Sequence, residues 1–293
     1  MKLTNKFGLP DTIVNVIKRP QYTKGESQIS ATEILNSPRI VQLKRQHWEE
    51  LEEDAADMVW SLFGSAVHNI LEHGKDDHHI VEERVFVKFD GWVISGQIDL
   101  QEVYEDGVVL SDYKVTSAWT VMNEKDAWHQ QLNTYAWLLE KAKQMNIKGL
   151  QIVAIVRDWS RRDAQTKEGY PKAPVVIINI PLWSFEDREQ YVSRRLKLHN
   201  DAFFAIHAGD EMPECTADDM WEKQTTYAVM KEGGKRAKSV HETREAAEKA
   251  LPEKGYSIEV RQGGRTRCES FCQVAGMCTQ YQTYLKEKAN EQN

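Results

Sequence analysis

Two apolar stretches of strand length, residues 97–104 and 108–115, stand on either side of a Glu-Asp-Gly turn and form the clearest pattern in the chain. An Asp-Gly step between β-branched and aromatic runs predicts an antiparallel hairpin. On the second strand Asp112 and Lys114 are two residues apart, so the alternation of a strand places both on one face. Asp99 can come level with Asp112 across the turn, where facing carboxylates repel each other unless a cation separates them. The hairpin therefore predicts a site for a hard metal ion.

The periodicity of the flanking segments predicts helices and strands arranged around this hairpin. Residues 1–29 show no sustained period, so we expect an extended arm with one strand at 12–18. Helices are predicted within 31–53, broken at Pro38, and over about 55–74, 123–145 and 184–209; strands are predicted over 79–89, 92–104, 108–115, 150–157 and 175–181. This order predicts an α/β fold in which helices flank a central mixed sheet.

Two predicted helices carry polar pairs that could face the hairpin. His68 and Glu72 are four residues apart and project from one side of the helix at 55–74. Gln131 and Tyr135 have the same spacing on the helix at 123–145. Each pair is either an ordinary helix surface or part of the site, and the spacing alone is compatible with both.

The segment after residue 209 differs from the rest in charge. Residues 223–267 hold eleven Lys and Arg against six Glu, a net charge of +5, within a chain whose total is −7. Strands at 226–230, 236–240 and 256–261 with a helix at 243–251 predict a small basic α+β module. Such a module would supply phosphate contacts to a nucleic acid, or it is a solvated insertion.

Composition narrows the class of protein. A chain of 293 residues with 41% hydrophobic and 28% charged residues is typical of a globular protein. Its longest apolar runs are of strand length and its amino terminus lacks the apolar stretch of a signal peptide, so we expect a cytoplasmic protein without a membrane span. In that compartment four cysteines indicate a metal or cluster site, or buried thiols, more than disulfides.

His68, Gly96-x-x-Asp99, Asp112-x-Lys114 and Gln131-x-x-x-Tyr135, in this order, resemble the RecB-type branch of the PD-(D/E)XK nucleases over residues 30–205. The resemblance implies a restriction-endonuclease-like core at residues 30–209 that cleaves phosphodiester bonds with Mg²⁺ or Mn²⁺. It also implies the roles of the individual residues. The metal would be bound by His68, Asp99, Asp112 and the Tyr113 carbonyl, and Glu72 would support these ligands. Lys114 would activate water. The site or the DNA would be ordered by Gln131 and Tyr135. Many relatives carry Glu where this chain has Asp112, and either carboxylate binds a hard cation.

The function that the resemblance implies is a metal-dependent DNA exonuclease, working in DNA recombination, repair or replication with a recombination or replication protein as partner. The alternatives are a structure-selective or site-specific endonuclease on the same fold, and a non-catalytic DNA-binding or assembly subunit. The candidate DNA contacts are Arg157, Arg161, Arg162, Arg236, Arg265 and Arg267.

The cysteines lie in the last region, residues 210–293. Cys268, Cys272 and Cys278 are closely spaced near the end of the chain, and Cys215 precedes the basic module. Four thiolates suit a [4Fe–4S] cluster or a tetrahedral Zn²⁺, and unliganded thiols are the third possibility. The iron–sulfur nucleases related to AddB and to the CRISPR-associated exonucleases resemble this chain in the closing triplet. They take their first cysteine from a helix ahead of the core, where this chain reads Asn36-Ser37-Pro38, so Cys215 would have to substitute.

Overall fold

The computed structural model describes residues 1–19, 23–123, 125–252 and 254–291. The helices are Asp11–Lys18 (α1), Ala31–Leu35 (α2), Pro38–Gln46 (α3), Val59–Leu71 (α4), Ala118–Met122 (α5), Asp126–Lys143 (α6), Arg161–Thr166 (α7), Phe185–Ala208 (α8), Ala217–Met220 (α9), Arg244–Lys249 (α10), Thr266–Ser270 (α11) and Thr279–Glu291 (α12). The strands are Lys2–Thr4 (β1), Ile29–Ser30 (β2), Glu52–Asp54 (β3), His79–Phe89 (β4), Trp92–Tyr104 (β5), Gly107–Thr116 (β6), Ile147–Val156 (β7), Val175–Ile180 (β8), Glu222–Lys223 (β9), Thr226–Lys231 (β10), Ala237–His241 (β11), Tyr256–Arg261 (β12) and Gly264–Arg265 (β13).

The chain divides into two compact units. The first comprises Met1–Asn36 and Glu52–Ala208, and the second comprises Ser37–Leu51 and Gly209–Asn293. The second unit therefore takes in α3, which lies far ahead of its other elements in the chain. This division differs from the continuous core at residues 30–209 that the sequence predicts. In the described ranges, helices with the length and apolar character of a membrane span are absent.

A six-stranded mixed sheet forms the centre of the first unit. β5 pairs antiparallel with β4 and β6 and, over two residues, parallel with β2. β7 then pairs parallel with β6 and antiparallel with β8. Helices flank this sheet, so the predicted α/β class with a central mixed sheet is confirmed.

The central hairpin forms as predicted because its turn has the right chemistry. Tyr104 pairs with Gly107, which leaves Glu105 and Asp106 as a two-residue loop. Gly107 has a φ of 148°, and a Cβ there would lie 2.5 Å from the carbonyl oxygen of Asn146. Only glycine fits this position, since any side chain would meet the backbone ahead of β7.

Helix α6 anchors the sheet to the core. It buries nine of its residues, and Trp137 and Leu132 are fully excluded from solvent. Close approach to β5 depends on Gly96, where a Cβ would lie 2.6 Å from Leu138 and 3.0 Å from the Tyr135 ring. Gly96 therefore brings the strand that carries Asp99 against the helix that carries Gln131 and Tyr135.

Two local features differ from the prediction. The strand expected at residues 12–18 is helix α1, which buries Val14 and Ile17 at helical spacing; the residues that follow in the predicted arm, 20–22, lie outside the described residues. The helix expected at 123–145 forms as α6, and a short unpredicted helix, α5, precedes it, because Ser117 caps α5 through the backbone N–H of Thr120.

The second unit contains the predicted α+β module. β10 pairs antiparallel with both β11 and β12, and α10 packs against this sheet with Ala247 buried. Elsewhere in the unit, the nearly fully buried Arg39 of α3 donates hydrogen bonds to the carbonyls of Met212 and Pro213 and to Thr279. This arginine ties α3 to the segments on both sides of the module.

Candidate active site

Three side chains in the first unit form a group that could hold a metal ion. One ligand atom each from His68, Glu82 and Asp99 lies within 4.8 Å of the others. His68 comes from α4, and its Nε2 lies 3.2 Å from the carbonyl oxygen of Tyr113 on β6. The structure thus brings together His68, Asp99 and the Tyr113 carbonyl, although His68 and Tyr113 are 45 residues apart in the sequence.

Glu82 belongs to this group and is absent from the predicted site. It has a φ of 50° within β4, a left-handed conformation that is unusual for a residue other than glycine. Its Oε1 lies 3.3 Å from Nδ1 of His68, and its Oε2 accepts a hydrogen bond of 2.5 Å from Gln97. Arg84 in turn donates to Oε1 of Gln97 at 2.6 Å. The one available signal is the acidic Glu82-Glu83 pair within β4.

Asp112 and Lys114 share a face of β6 and contact each other. Nζ of Lys114 lies 2.5 Å from Oδ2 of Asp112, which is 2% exposed. Gln131 donates a hydrogen bond of 3.0 Å to Oδ1 of Asp112 and another of 3.0 Å to the hydroxyl of Tyr135. The predicted helix pair Gln131 and Tyr135 therefore lies at the hairpin carboxylate.

The electrostatics of the site favour a cation. Burial and the neighbouring charge of Asp112 raise the pKa of Asp99 to about 8, against the pull of His68, Lys114 and the backbone N–H of Tyr113. The hydrogen bond to Glu82 raises the pKa of His68, although burial opposes it. Burial also acts to raise the pKa of Glu82, but hydrogen bonds from His68 and Gln97 outweigh it and lower that pKa. A bound divalent cation would relieve the repulsion that keeps Asp99 protonated.

The metal-capable group of His68, Glu82 and Asp99 borders a cleft of about 1080 Å³. His68, Glu82, Asp99 and Lys114 all reach it, as do Tyr135 and Glu72. This volume is at the upper end for small-molecule pockets and suits a segment of a polymer. Glu72 is the C-cap residue of α4, one turn from His68 along the cleft wall.

The six candidate DNA-contacting arginines fall in three settings. The guanidinium of Arg157 lies 4.5 Å from the ring centre of Trp60, and Arg161 and Arg162 are exposed at the start of α7. In the second unit, Arg236 is exposed in the turn between β10 and β11. The guanidinium of Arg265 lies over Tyr284 at 4.3 Å and that of Arg267 over Trp221 at 5.6 Å. Arg265 and Arg267 thus have aromatic partners beside the cysteines, and Arg236 extends into solvent.

All four cysteines line one cavity of the second unit. Cys215 and Cys278 are buried, whereas Cys268 and Cys272 are half-buried. Sγ of Cys215 lies 3.0 Å from Oγ of Ser37, the serine at the start of α3. Burial raises the pKa of Cys215 to about 11 and also raises that of Cys268, where the neighbouring Cys272 and Cys278 add to the effect. Burial therefore favours the protonated form of Cys215 and Cys268 when no metal is bound.

Comparison with known proteins identifies a family. A model described as the PD-(D/E)XK nuclease superfamily matches residues 30–279. Among solved structures, SSO0001 is similar with 16% identity and a TM-score of 0.43, covering 64% of this chain and 82% of that one. The alkaline exonuclease LHK-Exo from Laribacter hongkongensis is similar with 12% identity and a TM-score of 0.35, covering 61% of this chain and 91% of that one. No curated protein matches the chain.

Proposed function

The chain belongs to the PD-(D/E)XK nuclease superfamily, and we propose that within it the protein is a metal-dependent DNA exonuclease of the RecB type. The observation that carries this proposal is the convergence of His68, Glu82, Asp99 and Lys114 at one cleft, with Asp112 in contact with Lys114. A protein that only bound DNA would gain nothing from a buried acidic cluster, because such a cluster repels phosphate.

The residues present fit Mg²⁺ or Mn²⁺. Mg²⁺ and Mn²⁺ bind oxygen ligands, and Mn²⁺ also accepts imidazole nitrogen. Oxygen atoms come from Glu82, Asp99 and the Tyr113 carbonyl, and nitrogen comes from His68. Asp112 lies outside this group and contacts Lys114 on the same strand. A bound ion would supply charge neutralisation for the phosphate and a water of lowered pKa. The proposed metal set is the predicted one, His68, Asp99, Asp112 and Tyr113, with Glu82 added.

The other residues of the cleft have roles that follow from their positions. Lys114 brings a positive charge to the same strand as Asp112, where it would stabilise a hydroxide and the charge that develops on the phosphate. Gln131 holds the Asp112 carboxylate in place through its hydrogen bond from α6. Tyr135 reaches the cleft and would contact the DNA or order the bound water.

We further propose that the four cysteines hold a [4Fe–4S] cluster, with Zn²⁺ as the alternative. This proposal is supported by one cavity of the second unit, which all four cysteines of the chain line. Sulfurs that bind one tetrahedral zinc lie about 3.8 Å apart, given Zn–S bonds of about 2.3 Å. Among the residues that the structure describes, groups of three cysteine sulfurs within 4.8 Å of one another are absent. A [4Fe–4S] cluster binds its four cysteines through separate irons and so accepts sulfurs further apart than one zinc does.

The proposed substrate is DNA, and the proposed setting is DNA recombination, repair or replication in the cytoplasm together with a protein partner of one of these processes. Phosphate contacts would come from exposed arginines, Arg161 and Arg162 in the first unit and Arg236 in the second. An endonuclease on the same fold and a non-catalytic DNA-binding subunit are the competing functions.

One experiment separates these functions. End-labelled linear DNA and covalently closed circular DNA of the same sequence would be incubated with the protein in Mg²⁺, Mn²⁺ or EDTA, with Lys114→Ala as the matched control. An exonuclease degrades only the linear DNA, and only with metal. Cleavage of the circle would establish an endonuclease, and binding without any cleavage would establish the non-catalytic subunit.

A further inference from the structure

Helix α4 carries an unusual amount of exposed apolar surface for a helix that supplies an active-site residue. None of its 13 residues, all within the described part of the chain, is buried. Trp60 is 61% exposed, Phe63 44% and Ile70 72%. Large aromatic side chains exposed to this degree carry a cost in water that binding of another molecule would relieve.

Trp60 lies where the catalytic strand leaves the cleft. Lys114 and Val115 of β6 line the cleft, and the carbonyl oxygen of the next residue, Thr116, accepts a hydrogen bond of 2.9 Å from the backbone N–H of Arg157. The guanidinium of Arg157 lies 4.5 Å from the ring centre of Trp60. Thr116 lies two residues beyond Lys114 along β6, which corresponds to about 7 Å. Ser61 and Leu62, the two residues that follow Trp60 in α4, line the cleft, so the Trp60–Arg157 pair lies at the edge of the cleft.

We propose that Trp60 and Arg157 form a binding surface for unpaired DNA bases, and that the substrate of the cleft is a single-stranded end. This inference rests on the proposed nuclease function and names its substrate class. Trp60 would stack on a base, and Arg157 would bind the adjacent phosphate while keeping its contact with the indole. Trp119, which is 64% exposed and three residues beyond Thr116, is a second aromatic ring at the same end of β6.

Unpaired DNA fits this surface better than the other occupants. In a duplex the base faces are already stacked on each other, so an exposed indole gains little from paired DNA away from its ends. A protein docked on α4 would cover Asn69 and Ile70, which line the cleft together with His68, and would obstruct access to the metal ligands. The positive charge of Arg157 complements a phosphate group, whereas an apolar protein surface would leave that charge without a counterpart.

The test measures binding and needs no cleavage. Single-stranded and blunt duplex oligonucleotides of equal length would be titrated with Trp60→Ala, Trp60→Phe and the unaltered protein, all carrying Lys114→Ala and in Ca²⁺. Tyr104→Ala is the matched control, because Tyr104 is 49% exposed and has Nζ of Lys148 4.8 Å from its ring centre, at the other end of β6. Stacking on one base is worth about 1–3 kcal/mol, which corresponds to roughly five- to 150-fold in affinity.

We expect Trp60→Ala to weaken single-strand binding by at least about fivefold while duplex binding changes less than about twofold. Trp60→Phe should retain most of the affinity, and Tyr104→Ala should match the unaltered protein. Equal losses on both DNAs, or no loss on either, would overturn the proposal. This comparison uses uncleaved DNA, so its result does not depend on the nuclease assay. A failure of the nuclease assay would overturn the proposed function instead. A Trp60→Ala protein that changes oligomeric state would point to protein docking and also reject it.

Discussion

Gln131 donates one hydrogen bond of 3.0 Å to Oδ1 of Asp112 and a second of 3.0 Å to the hydroxyl of Tyr135. Gln131 belongs to α6, the helix that packs most deeply in the core of the first unit. The orientation of the Asp112 carboxylate is therefore set by a helix that is packed in the core. A site held in this way needs little rearrangement to bind a metal.

The first prediction concerns the charged pair on β6. Asp112→Asn and Lys114→Ala should each lower the rate of DNA cleavage by on the order of 10²-fold or more, because they remove a metal ligand and a charge beside the attacked phosphate. Asp112→Asn keeps the shape of the side chain and the acceptor for Gln131, so the fold should persist. The measurement is the cleavage rate of end-labelled DNA in Mg²⁺, with circular dichroism as the control for folding. A near-normal rate for Asp112→Asn would show that this hairpin is not the nuclease site.

The second prediction tests whether Gln97 supports the metal group by holding Glu82 in place. Gln97 bridges Arg84 and Glu82, so Gln97→Leu should release Glu82 from its left-handed conformation and weaken Mn²⁺ binding by about 10–100-fold. Gln101→Leu is the matched control, since Gln101 makes a similar bond of 2.8 Å to Glu83, which lies outside the metal group. Calorimetric titration with Mn²⁺ reports the affinity directly. Equal affinities in the two variants would mean that Gln97 supports only the strand.

The third prediction is a pH dependence of the metal-free protein. The pKa of Asp99 is about 8 in the folded state and about 3.9 when unfolded, so between these values the folded state binds more protons. The free energy of unfolding should therefore fall as pH rises from about 4 to 8, by up to about 1.4 kcal/mol per pH unit. The raised pKa of His68 acts in the same direction towards the upper end of this window. The lowered pKa of Glu82 acts in the opposite direction and only in the acidic range.

Urea denaturation in EDTA at several pH values measures this effect. Asp99→Asn should flatten the dependence, and Mg²⁺ should restore stability at pH 8 because it binds the ionised carboxylate only in the folded state. Stability that rises with pH in EDTA for the unaltered protein but not for Asp99→Asn would contradict the prediction.

Local sequence pattern predicts the central hairpin well and the rest of the candidate site only in part. The turn before Gly107 and the alternation of Asp112 and Lys114 are properties of adjacent residues, so they can be recognised without the fold. Glu82 joins the metal group through a backbone φ of 50° and a bond to His68, neither of which leaves a periodic signal. The grouping of α3 with the cysteine region likewise depends on Arg39 bonding to residues more than 170 positions away.

The last prediction concerns Cys215 and its contact with Ser37. If the four cysteines hold an iron–sulfur cluster, anaerobically purified protein should be brown and contain about four irons per chain. Cys272→Ser should lose the iron and the visible absorption, and it should melt at a lower temperature because the metal centre links α11 and α12 to the rest of the second unit. Cys215→Ser should have the same effect, since the cluster would lose its distant ligand.

Oγ of Ser37 lies 3.0 Å from Sγ of Cys215. The sulfur of a Ser37→Cys variant would therefore lie close to the position of the Cys215 sulfur and could replace it as a ligand. The double variant Ser37→Cys with Cys215→Ser should therefore recover iron and visible absorption that Cys215→Ser lacks, while Ser37→Cys paired with Cys272→Ser should not. Iron analysis and the absorption spectrum give both results without any activity assay. Colourless protein with one zinc per chain would replace the cluster by a structural zinc site, and metal-free protein whose melting is unchanged in Cys272→Ser would reject a metal centre altogether.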